Sequence, residues 1–351
     1  MMGKLKKLTG YRLFLPLSCL IIVLLINLIT TPTFFRITIN NGVLYGYIID
    51  VINRASELVV LAVGMTLVVS ASAGTDISVG AVMAVAAAVC TRVLAGGEVS
   101  VNEYANPYVL AVLAALAAAV VCGGFNGLLV AKLKIQPMVA TLILFTAGRG
   151  ISQLVTNGQI TYIRVDGYKL LGNNIPGIPI PTPIFVAVIV VALTYILLNK
   201  TAMGMYIQSV GINERASRLV GLKSVKIIWM AYAFCGLCAG IAGLVASSRI
   251  YSADANNIGL NMELDAIAAV ALGGNSLGGG RFSLLGSVIG AYTIQALTTT
   301  LYAMSVPSDQ IPVYKAIVVI LIVAVQSEEL KKFRKRLASR HASGNVEGGV
   351  A

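Results

Sequence analysis

The chain has 351 residues, of which 57% are hydrophobic and 11% are charged, and its formal net charge is +12. Because soluble domains carry about 25% charged residues, this composition excludes an ordinary soluble protein. The basic residues lie mostly in short segments between apolar runs without an aromatic–basic repeat, so we expect no nucleic-acid partner. His341 is the only histidine, so we also expect no metal site and no catalytic residues.

Apolar stretches of transmembrane length recur along nearly the whole chain. A helix crosses the hydrocarbon core with about 20 apolar residues. The pattern therefore predicts an all-α, polytopic membrane protein with about ten transmembrane helices. The predicted spans are 13–31, 54–72, 77–95, 107–131, 137–155, 183–199, 227–248, 263–273, 283–303 and 311–326. Glycine and proline near the third and eighth spans predict broken or partial helices at those two places.

Lysine and arginine are distributed unevenly over the predicted loops. With the amino terminus in the cytoplasm, 18 of the 26 basic residues fall on the cytoplasmic side, as the positive-inside rule requires. This distribution predicts an even number of spans with both termini cytoplasmic. Eight spans fit as well if the third and eighth predicted spans do not cross the membrane. The predicted organisation is a cytoplasmic segment 1–12, a transmembrane domain 13–326 with a cytoplasmic loop at 200–226, and a basic cytoplasmic tail 327–351.

Four polar or glycine-rich stretches interrupt the apolar background, and the first is 73–80. A carboxylate near membrane depth is costly, so Asp76 is a functional candidate, together with the hydroxyl of Ser78. The alternative is a helix cap, in which Asp76 bonds the free N–H groups of the next helix. Asp76 opens the third span and Asp265 opens the eighth, which hints at an inverted repeat of two five-helix halves.

The second and fourth stretches are rich in glycine. In the second, 123–127, the glycines favour close helix packing and Asn126 supplies a polar group within a span. The fourth, 263–282, contains Asn275. The Gly-Lys-Ser/Thr triplet of a Walker phosphate loop occurs nowhere in the chain, so we predict a tight re-entrant turn there and no nucleotide site.

The third stretch, 201–226, contains glycines that can end a short helix on both sides. Ala216, Leu219 and Val220 give this helix an apolar face. Such a helix fits either a groove on a partner protein or the layer of lipid headgroups. The residues alone do not separate these two roles.

In this order and spacing, the four stretches closely resemble the membrane-spanning permease subunits of bacterial sugar ABC importers of the ribose, xylose and galactose type. The family patterns Gly-Ile-Asp-Leu-Ser-Val-Gly and Phe-Asn-Gly are matched at 74–80 and 125–127. A cytoplasmic Gly-x-Asn-x-x-Ala-x-x-x-x-Gly is matched at 211–221, and Ala-Val-x-x-Gly-Gly-x-Ser-Leu-x-Gly-Gly-Arg is matched at 269–281.

Within that family, residues 48–55 and the polar segment before them look like the galactofuranose permeases. The chain departs from the family patterns at Thr75, where isoleucine is usual, and at Phe282, where glycine is common. Because Thr75 lies beside Asp76, the motifs leave the transported sugar open.

The resemblance implies a transport subunit of the bacterial inner membrane without enzymatic activity. A cytoplasmic coupling helix would dock on a separate ATP-binding subunit, which would hold the ATP and magnesium, so no cofactor is expected in this chain. A second permease subunit, identical or paralogous, and a periplasmic sugar-binding protein would complete the importer. The residues expected to couple to the ATPase are Gly211, Asn213, Glu214, Ala216 and Gly221. The residues expected along the sugar path are Asp76, Ser78, Asn126 and Asn275.

Other functions compete with this interpretation. A secondary transporter would run on an ion gradient and use buried acids such as Asp76 to carry protons or sodium. An ABC permease for a non-sugar solute, such as a branched-chain amino acid, would be a distant relative. A membrane-bound enzyme would need a clustered catalytic set, and the sequence contains none.

Overall fold

The computed structural model describes residues 13–40 and 42–326, so the predicted cytoplasmic segments 1–12 and 327–351 lie outside the described residues. Helices account for most of the described chain, as the sequence predicts. They are α1 Phe14–Thr30, α2 Tyr47–Ser72, α3 Val79–Ala95, α4 Tyr108–Ala131, α5 Pro137–Val155, α6 Thr182–Lys200, α7 Met203–Ile212, α8 Glu214–Leu219, α9 Ser224–Ile250, α10 Met262–Leu272, α11 Leu284–Ala303 and α12 Ile311–Gln326.

Six helices in the described part of the chain are long and apolar enough to cross a membrane, namely α2, α4, α5, α6, α9 and α11. Shorter apolar helices lie within α1, α3 and α12. The α10 helix has 11 residues and, at 1.5 Å per residue, spans about 16 Å, roughly half of the hydrocarbon core. The chain is therefore a polytopic helical membrane protein.

The third and eighth predicted spans are short helices that begin inside the bundle. Each follows a long helix that ends at a left-handed residue, Ala73 (φ 53°) after α2 and Tyr251 (φ 56°) after α9. The chain then folds back along α2, since the Asp76 N–H donates to the sulfur of Met65 at 3.5 Å. A Cβ on Gly80 would collide with the backbone just before α10, so α3 and α10 begin next to each other. The α10 helix is partial, as predicted, whereas α3 continues unbroken for 17 residues.

The packing of α2 is matched by the packing of α9. The α2 helix packs on α9, α10 and α11, whereas α9 packs on α2, α3 and α4. Because α3 and α4 follow α2 in the chain, and α10 and α11 follow α9, the two halves exchange equivalent contacts. An inverted repeat produces this pattern.

One end of the bundle, which we name the hook end, gathers four separate loops. The Gly280 N–H donates to the carbonyl of Ser70 at 3.0 Å, and Lys134 forms an ion pair with Glu214. These contacts join the segment after α2, the α4–α5 turn, the α7–α8 region and the glycine-rich turn after α10. Three of these segments, the α4–α5 turn, the α7–α8 region and the turn after α10, carry basic residues that the positive-inside pattern assigns to one side of the membrane.

The opposite end, which we name the sheet end, contains short strands that the sequence did not predict. A three-stranded sheet consists of β3 (Ser100–Val101), β4 (Thr161–Ile163) and β5 (Ser252–Ala253), in which β3 is parallel and β5 antiparallel to β4. A separate antiparallel hairpin is formed by β1 (Thr38–Asn40) and β2 (Val43–Tyr45). The loops predicted to lie outside therefore meet at the end away from the hook end.

A close helix crossing joins α4 to α9 through two glycines. A Cβ on Gly123 would lie 2.9 Å from the Cα of Gly236, and a Cβ on Gly236 would lie 2.9 Å from the Cα of Gly123. Cβ atoms do not approach that closely, so glycine is required at both positions. This confirms the predicted close packing of the stretch 123–127.

We expect Gly236→Leu to destabilise the protein. The added side chain forces α4 and α9 apart, and overpacking of this kind costs about 1–3 kcal/mol or more. Thermal unfolding of the purified protein in detergent measures the effect. Gly150→Ala in α5 is the matched control, because nothing lies within 4 Å of the added Cβ. Equal unfolding temperatures for the two variants would contradict the assigned crossing.

Candidate functional site

A buried polar cluster lies where the chain enters α3. Asp76 is 2% exposed, and Ser78 and Asn126 are fully buried. The Oδ1 atom of Asp76 accepts hydrogen bonds from the Ser78 N–H at 2.9 Å and from the Ser78 hydroxyl at 2.7 Å. The Asn126 amide donates to the Ser78 Oγ at 2.8 Å and to Asp76 at 3.4 Å. Three of the four predicted path residues are thus in direct contact.

The cluster is held by the neighbouring helices. The Ile77 N–H donates to the hydroxyl of Thr141 in α5 at 3.1 Å. Asp76 bonds the N–H of Ser78, the residue just before α3, and no side chain in the described part of the chain bonds the free N–H groups of the first turn of α3, so the capping alternative is not what the structure shows. The Oδ1 atom of Asn126 is buried without a hydrogen-bond partner among the described residues. That carbonyl oxygen is free to accept a further hydrogen bond.

Asn275 lies apart from this cluster. Its amide donates to the Val270 carbonyl at 3.0 Å and to the Ser287 hydroxyl at 2.7 Å, and its Oδ1 accepts from the Ser283 N–H. The Ser287 hydroxyl also receives a bond from Thr66 of α2 at 2.6 Å. Asn275 therefore fixes the glycine-rich turn onto α11 and α2, and none of its bonds reaches the Asp76 cluster.

The predicted short helix is α8, and it follows α7 with only Asn213 between them. The Asn213 side chain accepts a bond from the Ala216 N–H at 3.0 Å and so caps α8. Leu219 and Val220 are 89% and 78% exposed, and Gly221 ends the segment with φ +86°. An apolar tip this exposed is a typical protein-binding feature. We call residues 211–221 the hook.

Glu214 anchors the hook to the rest of the protein. Its carboxylate accepts hydrogen bonds from Lys134 in the α4–α5 turn, from Arg218 in α8 and from the Ser224 hydroxyl at the start of α9. Burial acts to raise the pKa of Glu214, but the bonds from Lys134 and Arg218 hold that pKa below its ordinary value. These interactions are complete above the ordinary pKa of 4.5 and are lost as the pH falls through the lowered pKa.

The base of the hook fits against the backbone of two other segments. A Cβ on Gly211 would collide with the carbonyl oxygen of Ser70 at the end of α2 and would lie 2.7 Å from the Gly280 nitrogen. A cleft of about 300 Å³ opens beside this contact and is lined by Ser72, Lys134 and Gln136, among others. The base of the hook is therefore packed directly against α2 and the glycine-rich turn.

Other charged side chains lie half-buried within the bundle, and sequence reasoning did not select them as site residues. Arg249 pairs with Glu57 at 3.1 Å. Lys315 pairs with Asp265 at 2.6 Å, and Arg149 donates to two backbone carbonyls in the loop before α10. The sequence feature that could have identified these residues is the occurrence of a charged residue inside an apolar span. Within the described chain, no group of three or more His, Cys, Asp or Glu side chains is placed to hold a metal ion.

The similarity of this chain to known proteins extends over almost its full length. The galactofuranose transporter permease protein YtfT of Escherichia coli (strain K12) is 44% identical over 324 residues, which cover 92% of each chain. The fructose import permease protein FruF of Bifidobacterium longum (strain NCC 2705) is 37% identical and covers 96% of this chain and 94% of its own. The ribose import permease protein RbsC of Escherichia coli (strain K12) is 35% identical, with 89% and 93% covered.

No solved structure matches the chain. The family model that matches it is described as the branched-chain amino acid transport system / permease component, and the match spans residues 47–326. That match covers more than three quarters of the chain. The chain therefore belongs to this family of transport permeases.

Proposed function

We propose that the chain is the permease subunit of a bacterial sugar ABC importer and that its sugar is galactofuranose. The observation that carries this proposal is the 44% identity to a galactofuranose permease over 92% of both chains. The exposed apolar hook supports it independently, because a permease without its own ATPase needs a surface on which an ATPase can act.

The proposed topology places the hook end in the cytoplasm and the sheet end outside the inner membrane. The chain then crosses about ten times, with α10 as a partial crossing, and both termini are cytoplasmic. The support comes from agreement between two independent patterns. The segments that carry Lys132 and Lys134, the five basic residues from 200 to 226, and Arg281 meet at the hook end, as the positive-inside rule requires.

In the proposed mechanism, closure of two ATPase subunits moves the hook, and the hook moves α2. The contact between Gly211 and Ser70 lies near the end of α2, six residues before Asp76. The bond from Lys134 to Glu214 links the same movement to α4 and α5, which carry Asn126 and Thr141. A rigid-body shift of the hook therefore changes the spacing of the elements that hold the polar cluster.

The proposed sugar path includes Asp76, Ser78 and Asn126. A neutral sugar presents hydroxyl groups, and these side chains offer a carboxylate, a hydroxyl and a free amide oxygen. Such groups bind hydroxyls without a fixed charge on the ligand. Asn275 is proposed to act on the path indirectly, because it fixes the turn beside which the hook moves.

The proposed partners are an ATP-binding subunit that carries ATP and magnesium, a periplasmic sugar-binding protein and a second permease subunit, identical or paralogous. Reconstituted proteoliposomes test the function. We expect uptake of labelled galactofuranose that requires ATP, the ATPase subunit and the binding protein, and that continues when ionophores collapse ion gradients. Uptake that persists without the ATPase and stops with ionophores would establish a secondary transporter instead. Uptake of leucine in place of the sugar would assign an amino acid permease.

The Glu214 network gives a separate prediction about coupling. Lys134→Glu is expected to reduce ATP-driven uptake about fivefold, while stability changes by less than about 1 kcal/mol because exposed ion pairs contribute little. The reversed pair, Lys134→Glu with Glu214→Lys, should recover part of the uptake. The control is Lys132→Glu, since Lys132 is exposed and forms no ion pair with a described residue. An equal loss of uptake in Lys132→Glu would show that the charge of the α4–α5 turn, and not the ion pair between Lys134 and Glu214, affects coupling.

A further inference from the structure

A groove of about 550 Å³ lies on the side of the bundle between α6 and α11. Its lining is almost entirely apolar and includes Val59, Val191 and Val288. Along α6 the lining runs from Ala187 to Ile196, which is about 14 Å at 1.5 Å per residue. One leaflet of the hydrocarbon core is about 15 Å deep, so the groove has the length of a lipid tail within a leaflet.

A second cavity, of about 460 Å³, continues the groove towards the hook end, and Tyr195 and Leu285 line both. Its lining is mixed, with five amide or hydroxyl side chains, namely Tyr195, Asn199, Thr201, Gln208 and Ser283. The half-buried Gln208 amide forms no hydrogen bond with any described residue. The two cavities together form one channel that is apolar at membrane depth and polar at the membrane surface.

Two basic residues are immediate sequence neighbours of residues that line the polar cavity. Lys200 lies between two lining residues in sequence, and Arg281 directly precedes the lining residue Phe282. Both side chains are exposed, and neither forms an ion pair within the described chain. None of the described residues that line the two cavities is acidic. The polar end of the channel therefore carries uncompensated positive charge.

We propose that this channel binds one anionic phospholipid, with an acyl chain in the apolar groove and the phosphate between Lys200 and Arg281. The Gln208 amide would bond the headgroup. A second permease copy could cover the apolar groove, but it would not account for two unpaired cations and a free amide at one end only. The proposal depends on membrane insertion with the hook end at a membrane surface, and it is independent of the transported solute.

Native mass spectrometry of the purified importer, titrated with phosphatidylglycerol or phosphatidylcholine, tests the proposal. We expect one retained phosphatidylglycerol per permease chain and markedly less phosphatidylcholine. Lys200→Gln with Arg281→Gln should lower phosphatidylglycerol retention about tenfold or more, since each basic residue near a membrane surface contributes roughly a fivefold gain. The control Lys226→Gln removes an exposed, unpaired lysine at the same end and should change nothing.

A second variant addresses the groove itself. Ala192 is exposed on α6 and lines the apolar groove, so the indole of Ala192→Trp fills the groove. This variant should abolish the selective retention of phosphatidylglycerol while the importer still assembles. Equal retention of both lipids, unaffected by removal of the two cations, would overturn the proposal. If Ala192→Trp separates the permease pair and leaves lipid retention unchanged, the groove belongs to the interface between copies and the proposal is wrong.

Discussion

Gly211→Ala is expected to reduce ATP-driven uptake at least about tenfold, although it adds only one methyl group. That methyl would collide with the carbonyl oxygen of Ser70 and lie 2.7 Å from the nitrogen of Gly280. Both neighbours are backbone atoms, which cannot rotate away as a side chain can, so the hook must shift relative to α2. Interiors packed at this density transmit such strain.

The measurement is sugar uptake and ATP hydrolysis on the same reconstituted sample. We expect hydrolysis to continue at a rate that no longer depends on the binding protein, because a displaced hook still offers its exposed tip to the ATPase. Gly158→Ala, outside the hook, is the matched control. Its φ of +70° makes alanine strained by roughly 1–2 kcal/mol, but nothing lies within 4 Å of the new Cβ, so uptake should be nearly retained. A wild-type rate for Gly211→Ala would remove the contact with Ser70 from the mechanism.

Asp76→Ala is expected to have the second large effect, on both folding and transport. The change leaves the N–H and the hydroxyl of Ser78 without their acceptor and removes the longer of the two bonds that the Asn126 amide donates. Each buried group that loses its partner costs about 1–3 kcal/mol, so we expect a loss of about 3 kcal/mol or more in the free energy of unfolding. Thermal unfolding in detergent and uptake in proteoliposomes measure the two losses.

Asp76→Asn separates the structural role from the role in transport. Asparagine keeps one acceptor oxygen for Ser78, so the protein should fold normally. Hydrogen bonds to a charged group are stronger than those to a neutral one by about 1 kcal/mol, so uptake should still fall about fivefold if Asp76 contacts the sugar. Asp166→Asn is the control, because Asp166 is an exposed carboxylate in a loop at the sheet end. Normal folding with full uptake in Asp76→Asn would exclude Asp76 from the path.

The helices were largely predictable from the sequence, because the length of an apolar run is a local property. The predicted span 137–155 coincides with α5, and 311–326 coincides with α12. The predicted span 54–72 begins seven residues later than α2, which starts at Tyr47. The charged residues Asp50, Arg54 and Glu57 interrupt the apolar run there, although the helix continues through them.

The contacts of the site were not predictable, since they join residues far apart in the chain. Asp76 and Asn126 are 50 residues apart, and Lys134 and Glu214 are 80 apart. Glu214 was named as a coupling residue through the matched motif at 211–221, and only the structure shows that its carboxylate bonds to Lys134 and Arg218. Asn275 was selected because amides bind sugars, and only the structure places its bonds on the turn and α11.

The central claim is that the hook lies in the cytoplasm and receives motion from a separate ATPase, and a cysteine at position 216 tests it most directly. Ala216 is exposed on α8, and Tyr162, in the sheet at the opposite end, provides the reference position. We expect Ala216→Cys to react with an impermeant maleimide only from the cytoplasmic side, and Tyr162→Cys only from outside. A cross-link from Cys introduced at 216 to the ATPase subunit should block uptake, and a reductant should restore it. Labelling of position 216 from outside, or no cross-link to the ATPase during turnover, would contradict the account.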